Sequence, residues 1–93
     1  MNKYLQVELS YTNPLVHLEV GSRSSMSFGS SGEYYMPFEI QSILGTNPNS
    51  MTIMVLDPEN KISETNVGNQ IVFGHISSKV IAKGTVVRLL SPS

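Results

Sequence analysis

Residues 5–11, Leu5-Gln6-Val7-Glu8-Leu9-Ser10-Tyr11, alternate apolar and polar without a break. Successive side chains of a strand point to opposite faces, so this pattern places Leu5, Val7, Leu9 and Tyr11 on one face and Gln6, Glu8 and Ser10 on the other. A strand with one apolar face needs a layer to cover it, which commits the chain to a β-structure with an interior. Thr12-Asn13-Pro14 ends the run, because proline lacks a ladder donor and biases its predecessor away from helix. A second alternating run follows, with Val16, Leu18 and Val20 inward and His17 and Glu19 outward.

The rest of the chain repeats the same grammar. Gly21 to Ser25 is a polar turn, and Met26-Ser27-Phe28 is a short strand that Gly29-Ser30-Ser31-Gly32 joins as a hairpin to Glu33-Tyr34-Tyr35-Met36. Phe38, Ile40, Ile43 and Leu44 fit a bent strand or one helical turn, and the strand is favoured. Gly45 to Ser50 is a loop by composition. Met51 to Leu56 (MTIMVL) is almost continuously apolar and predicts a strand buried on both faces. Asp57-Pro58-Glu59-Asn60 stops it, with Asp57 bonding local backbone, and Ile62 to Gln70 is either a short helix or an extended loop.

Ile71 to Ile76 and Lys79 to Ile81 read as a strand or strand pair bent at Ser77-Ser78. Ala82-Lys83-Gly84-Thr85 reads as a turn in which Gly84 supplies a positive φ, and Val86 to Leu90 as the last strand. The expectation is a single all-β domain over residues 1–93, a small β-sandwich or β-barrel of about six to eight short, mostly antiparallel strands.

Composition narrows the function. A chain of 93 residues buries only roughly two-thirds of the surface its unfolded form exposes, and with no cysteine it has neither disulfides nor thiolate metal sites to supplement its core. Association with other subunits is the remaining supplement. Charged residues make up 14% of the chain, against roughly 25% in ordinary soluble domains. Such a surface suits a protein covered by neighbours better than a free monomer. The net charge is -1, and Lys3, Arg23, Lys61, Lys79, Lys83 and Arg88 are scattered, so no basic cluster marks a nucleic-acid partner. No apolar run approaches the roughly 20 residues of a membrane span, and the N-terminal segment lacks a signal-peptide core, so the expectation is a soluble protein made in the cytoplasm.

Catalytic chemistry finds little to stand on. His17 and His75 fall on different predicted strands, with Glu19 the nearest third ligand, and their spacing matches no metal motif. No G-x-S-x-G motif surrounds any serine, and the Gly29-Ser30-Ser31-Gly32 loop is followed by no lysine and no helix, which argues against a phosphate loop. The expectation is a protein that is not an enzyme, with no catalytic residue, no cofactor and no metal.

The stretch Ser31-Gly32-Glu33-Tyr34-Tyr35-Met36-Pro37-Phe38-Glu39-Ile40 remains. Tyr34 and Tyr35 are adjacent, so in a strand one of them leaves the core and touches either a second layer or another subunit. Pro37 marks a strand end or an edge. These features nominate Phe28, Tyr34, Tyr35 and Pro37 as candidate partner-interface residues.

The absence of cysteine, the low charge, the short strands and turns such as Gly29-Ser30-Ser31-Gly32 and Thr46-Asn47-Pro48-Asn49 together resemble small bacteriophage virion structural proteins. The resemblance is one of style and brings no defining motif. It implies a tail or capsid component located in the virion, whose partners are other virion proteins and copies of itself, with no nucleic acid and no membrane. The alternative from another class is a small β-module that binds or inhibits a host protein.

Overall fold

The computed structural model describes residues 2–28, 35–44, 47–74 and 80–90. Six strands run through them: β1 (Asn2–Thr12), β2 (Arg23–Phe28), β3 (Met36–Leu44), β4 (Asn47–Leu56), β5 (Gln70–Phe73) and β6 (Ala82–Leu90). They close on themselves in the order β1-β4-β3-β2-β5-β6, every neighbouring pair antiparallel. The architecture is therefore a small antiparallel β-barrel, and the sandwich alternative falls. β2, β3 and β4 are successive neighbours and β1 lies beside β4, which is Greek-key order. β1, β3 and β5 finish at what we term the upper end, where β2, β4 and β6 begin.

Alternation dictates the interior. Leu5, Val7 and Leu9 of β1, Met51, Ile53 and Val55 of β4, and Met36, Phe38 and Ile40 of β3 all point inward and are buried. Met26, Ile71, Phe73 and Val86 complete the core from the other strands. The rings of Phe38 and Phe73 meet in it with centroids 4.2 Å apart and tilted by 31°. Met51 to Leu56 buries one face only: Met54 is half-buried on the outer wall and Leu56 is exposed, contrary to the expected two-sided burial. In a single-layer barrel the outer face has no second sheet above it.

Both barrel ends are spanned by crossovers, because the order places β1 opposite β2 and β4 opposite β5. Residues 13–22 cross the upper end and are not the strand that Val16, Leu18 and Val20 suggested. Asn13 explains the difference: its Oδ1 accepts from Leu15 N, its backbone carbonyl accepts from Val16 N, and its own N donates to Ile81 O, so the chain turns away from the ladder. Only Leu18 of that run packs against the core, and Val20 is exposed. Residues 57–69 cross the lower end as an irregular segment with a single 3-10 turn, Glu64–Asn66, and set Ile62 in the core at 1% exposure.

Other expectations move in smaller ways. β3 is the favoured strand, bent by a register shift between Ile40 and Ser42. β4 starts at Asn47, so residues 47–50 of the expected loop are strand, and Gly45 and Thr46 lie outside the described residues. β5 stops at Phe73, followed by Gly74 at φ 115°, while His75 to Lys79 and the Gly29-Ser30-Ser31-Gly32 connection lie outside the described residues.

Ala82-Lys83-Gly84-Thr85 is no turn: it is the start of β6, and Gly84 is not among the glycines with positive φ. Glycine is required there for another reason. Gly84 pairs with Leu9 beside a bulge that leaves Ser10 unmatched, and a Cβ on Gly84 would lie 2.5 Å from the Glu8 carbonyl oxygen. Neither strand can give way without breaking the β1–β6 ladder. Gly84→Ala is therefore expected to lose about 1–3 kcal/mol of stability, as overpacking against backbone does, read as a lowered midpoint in chemical denaturation.

Candidate functional site

Three features on the barrel have the makings of a site. The first is a latch at the lower end, built on Asp57, whose side chain has no exposed surface. Its Oδ1 accepts from Lys61 N at 2.9 Å and its Oδ2 from Ile62 N at 2.8 Å, while the Lys3 ammonium stands 3.5 Å from Oδ2. Lys3 Nζ also donates to Ile62 O at 2.8 Å and to the Asn60 side chain. Burial pushes the Asp57 carboxyl up, but the two backbone donors and Lys3 together outweigh it and hold the group below its usual range. The expected local backbone bonding of Asp57 is present; the ion pair with Lys3 is what sequence reasoning missed.

The second feature is an open groove of about 250 Å³ on the outer wall, lined by Asn2, Arg23, Pro37, Glu39, Met54 and Leu56 among others. Its register makes it: Arg23 faces Glu39 across β2–β3, and Glu39 faces Met54 across β3–β4. Arg23 Nε donates to Glu39 Oε2 at 2.6 Å, and Gln41 Nε2 donates to Glu39 Oε1 at 3.0 Å. The Arg23 hydrogen bond is the main reason that the Glu39 carboxyl lies below its usual range.

The third is the upper rim. Among the described residues seven large hydrophobics are exposed, and four of them, Tyr11, Leu15, Val20 and Leu44, sit at this end with exposures of 47–81%. Tyr11 was expected inside with Leu9. The unmatched Ser10 turns it out, since one inserted residue exchanges the faces of a strand.

Of the four candidate interface residues, Phe28, Tyr35 and Pro37 are among the described residues, at the end of β2 and around the start of β3. Pro37 is exposed and lines the groove. Ile40 N donates to Ser22 O on the β2 side, so alternation points the Pro37 nitrogen toward β4, one position before the first β3–β4 pair, Phe38 with Val55. Its missing donor costs the ladder nothing there, as a strand-end proline requires. Phe28 is half-buried against the core at the end of β2, and Tyr35 is half-buried just before β3. Tyr34 lies outside the described residues.

His17 is on the upper crossover, exposed, with Nε2 3.6 Å from the Glu19 carboxylate. His75 lies outside the described residues, among which no group of three or more potential metal-ligating side chains occurs. Comparison with protein-family models, curated proteins and solved structures finds no match for the chain.

The latch sets a pH dependence. A carboxyl whose folded pKa is depressed contributes stability that is complete above its unfolded value, near 4, and is lost as the pH falls through the folded value. Glu39 titrates in the same direction, but its exposure screens the effect. Asp57→Asn is expected to lower stability at pH 7 by about 1–3 kcal/mol and to flatten the fall in stability below about pH 4. Urea titrations of both proteins across that range measure it.

Proposed function

We propose that this chain is a structural component of a bacteriophage particle, a tail or capsid protein that works through contacts with other virion proteins and with copies of itself rather than through chemistry. The observation that carries the reading is the upper rim, where Tyr11, Leu15, Val20 and Leu44 stand exposed at one end of the barrel. Apolar side chains gathered at one pole are characteristic of contact surfaces, whereas single exposed ones need no explanation. The low charge of the chain supports the same reading, since a covered surface needs little. A closed barrel has no free edge strand, so it offers its ends and outer face to neighbours with little risk of strand exchange.

On this reading the interfaces follow the symmetry of a ring or shell. Leu15→Lys combined with Val20→Lys is expected to shift the isolated protein toward monomer in sedimentation velocity. Thermal stability should stay within about 0.5 kcal/mol, because neither side chain packs in the core. Copurification of the unmodified chain with intact particles, and its loss in the double variant, supports the proposal. Capture of one host protein with no particle association sinks it in favour of a host-binding module.

A further inference from the structure

We propose that the outer groove binds an extended peptide segment carrying a bulky apolar side chain next to a carboxylate, supplied by a partner protein. The inference rests on the groove alone and holds whether that partner is a virion protein or a host protein.

The polar end of the groove decides the sign of the ligand. Each oxygen of Glu39 already accepts a hydrogen bond, Oε2 from Arg23 Nε and Oε1 from Gln41 Nε2. Arg23 spends only its Nε on that contact among the described residues, and its side chain is 80% exposed. A guanidinium carries five N–H donors in a rigid fork, so both terminal amino groups remain on offer while the Nε bond fixes the plane they lie in. That is a prepositioned fork for a carboxylate, the acceptor with which guanidinium forms its strongest paired contacts. Glu39, at 26% side-chain exposure, thus acts as the anchor of the cation, and the part of this net-neutral pair turned to solvent is mainly the guanidinium with its free donors.

The floor decides the rest. Pro37, Met54 and Leu56 supply apolar surface beside Arg23, and Leu56 is 44% exposed. A volume of about 250 Å³ accepts one bulky side chain and the backbone that carries it, not a folded surface. The groove is too open to bury most of a free small molecule, as a tight small-ligand pocket must. An extended peptide seats one side chain and its backbone in such a shallow site without needing the rest of its surface buried, and it is the occupant we assign. Asn2, at the same groove, brings an amide able to donate to and accept from an extended backbone.

The test is an NMR titration of the folded protein with three acetylated, amidated hexapeptides whose central pairs are leucine-aspartate, leucine-asparagine and serine-aspartate in a glycine-serine frame. The leucine-aspartate peptide is expected to give saturable shifts at the amides of Arg23, Glu39 and Met54. Affinity should fall about tenfold with asparagine and about tenfold in Arg23→Gln, the loss of one charged hydrogen-bonded contact. The serine-aspartate peptide and the Leu56→Ser variant should each weaken binding through the floor. Both substituted side chains are exposed, and the peptide series on the unmodified protein decides the matter even where a variant misfolds. Absence of saturable shifts, shifts centred elsewhere, equal binding of the asparagine peptide, or indifference to Arg23→Gln overturns the proposal.

Discussion

The Asp57 carboxylate sits without access to water at the point where β4 leaves the barrel wall, and the geometry of the lower end follows from what it must find there. A buried carboxylate is held only by donors that replace its lost hydration. Asp57 collects two from the crossover, the amides of Lys61 and Ile62, and a third partner from β1, the Lys3 ammonium. Those partners come from the crossover and from the neighbouring strand, so one residue ties the crossover to the strand that starts beside it. Ile62 is thereby placed over the core. A path for residues 57–62 that withdrew these donors would strand the charge, and that penalty, more than net attraction within the pair, favours the path seen.

The crossovers do more than connect strands. β2 and β5 have only six and four residues, too short to complete the walls beside β3 and β6. At the upper end Gly21 N donates to Ile40 O and Ile40 N to Ser22 O, which continues the β2 side of β3 with crossover backbone. At the lower end Gly68 N donates to Val86 O and Val86 N to Asn69 O, which does the same for β6 ahead of β5. Each crossover reaches a barrel end, seats one apolar residue and then pairs as strand before its strand begins. Among the described residues no buried side-chain polar atom is left without a partner, the condition for closing so small a core around irregular chain.

Much of this was legible in the sequence, and what was not has a common cause. The alternation of Leu5, Val7 and Leu9 and the turn chemistry of Asp57 each report on their own segment, and both were read correctly. Gly84 and Tyr11 were misread because their environment is set by a strand far away in sequence. Glycine at 84 answers the approach of Glu8, and the outward turn of Tyr11 follows from the pairing of β1 with β6. Val16, Leu18 and Val20 alternate as a strand does, yet Asn13 diverts the chain before they can pair. Of the described candidate interface residues Pro37 alone lies on the groove, and its partners there, Arg23 and Met54, carry no local signal because register across three strands assembles them.

Those same long-range effects control which apolar residues reach solvent. Ser10 in β1 and Val87 in β6 are each an extra residue in one ladder, the β1–β6 pairing. The first rotates Tyr11 outward at the upper rim, and the second leaves Val87 itself exposed on the wall. A bulge bends and twists the strand that carries it, and two in one pair also supply curvature needed to close six strands around a narrow core. The pairing that closes β1 against β6 thus also turns Tyr11 and Val87 to solvent, so the exposure of these two side chains is a consequence of the fold. Their outward turn depends on two unmatched residues that no local pattern of hydrophobicity marks.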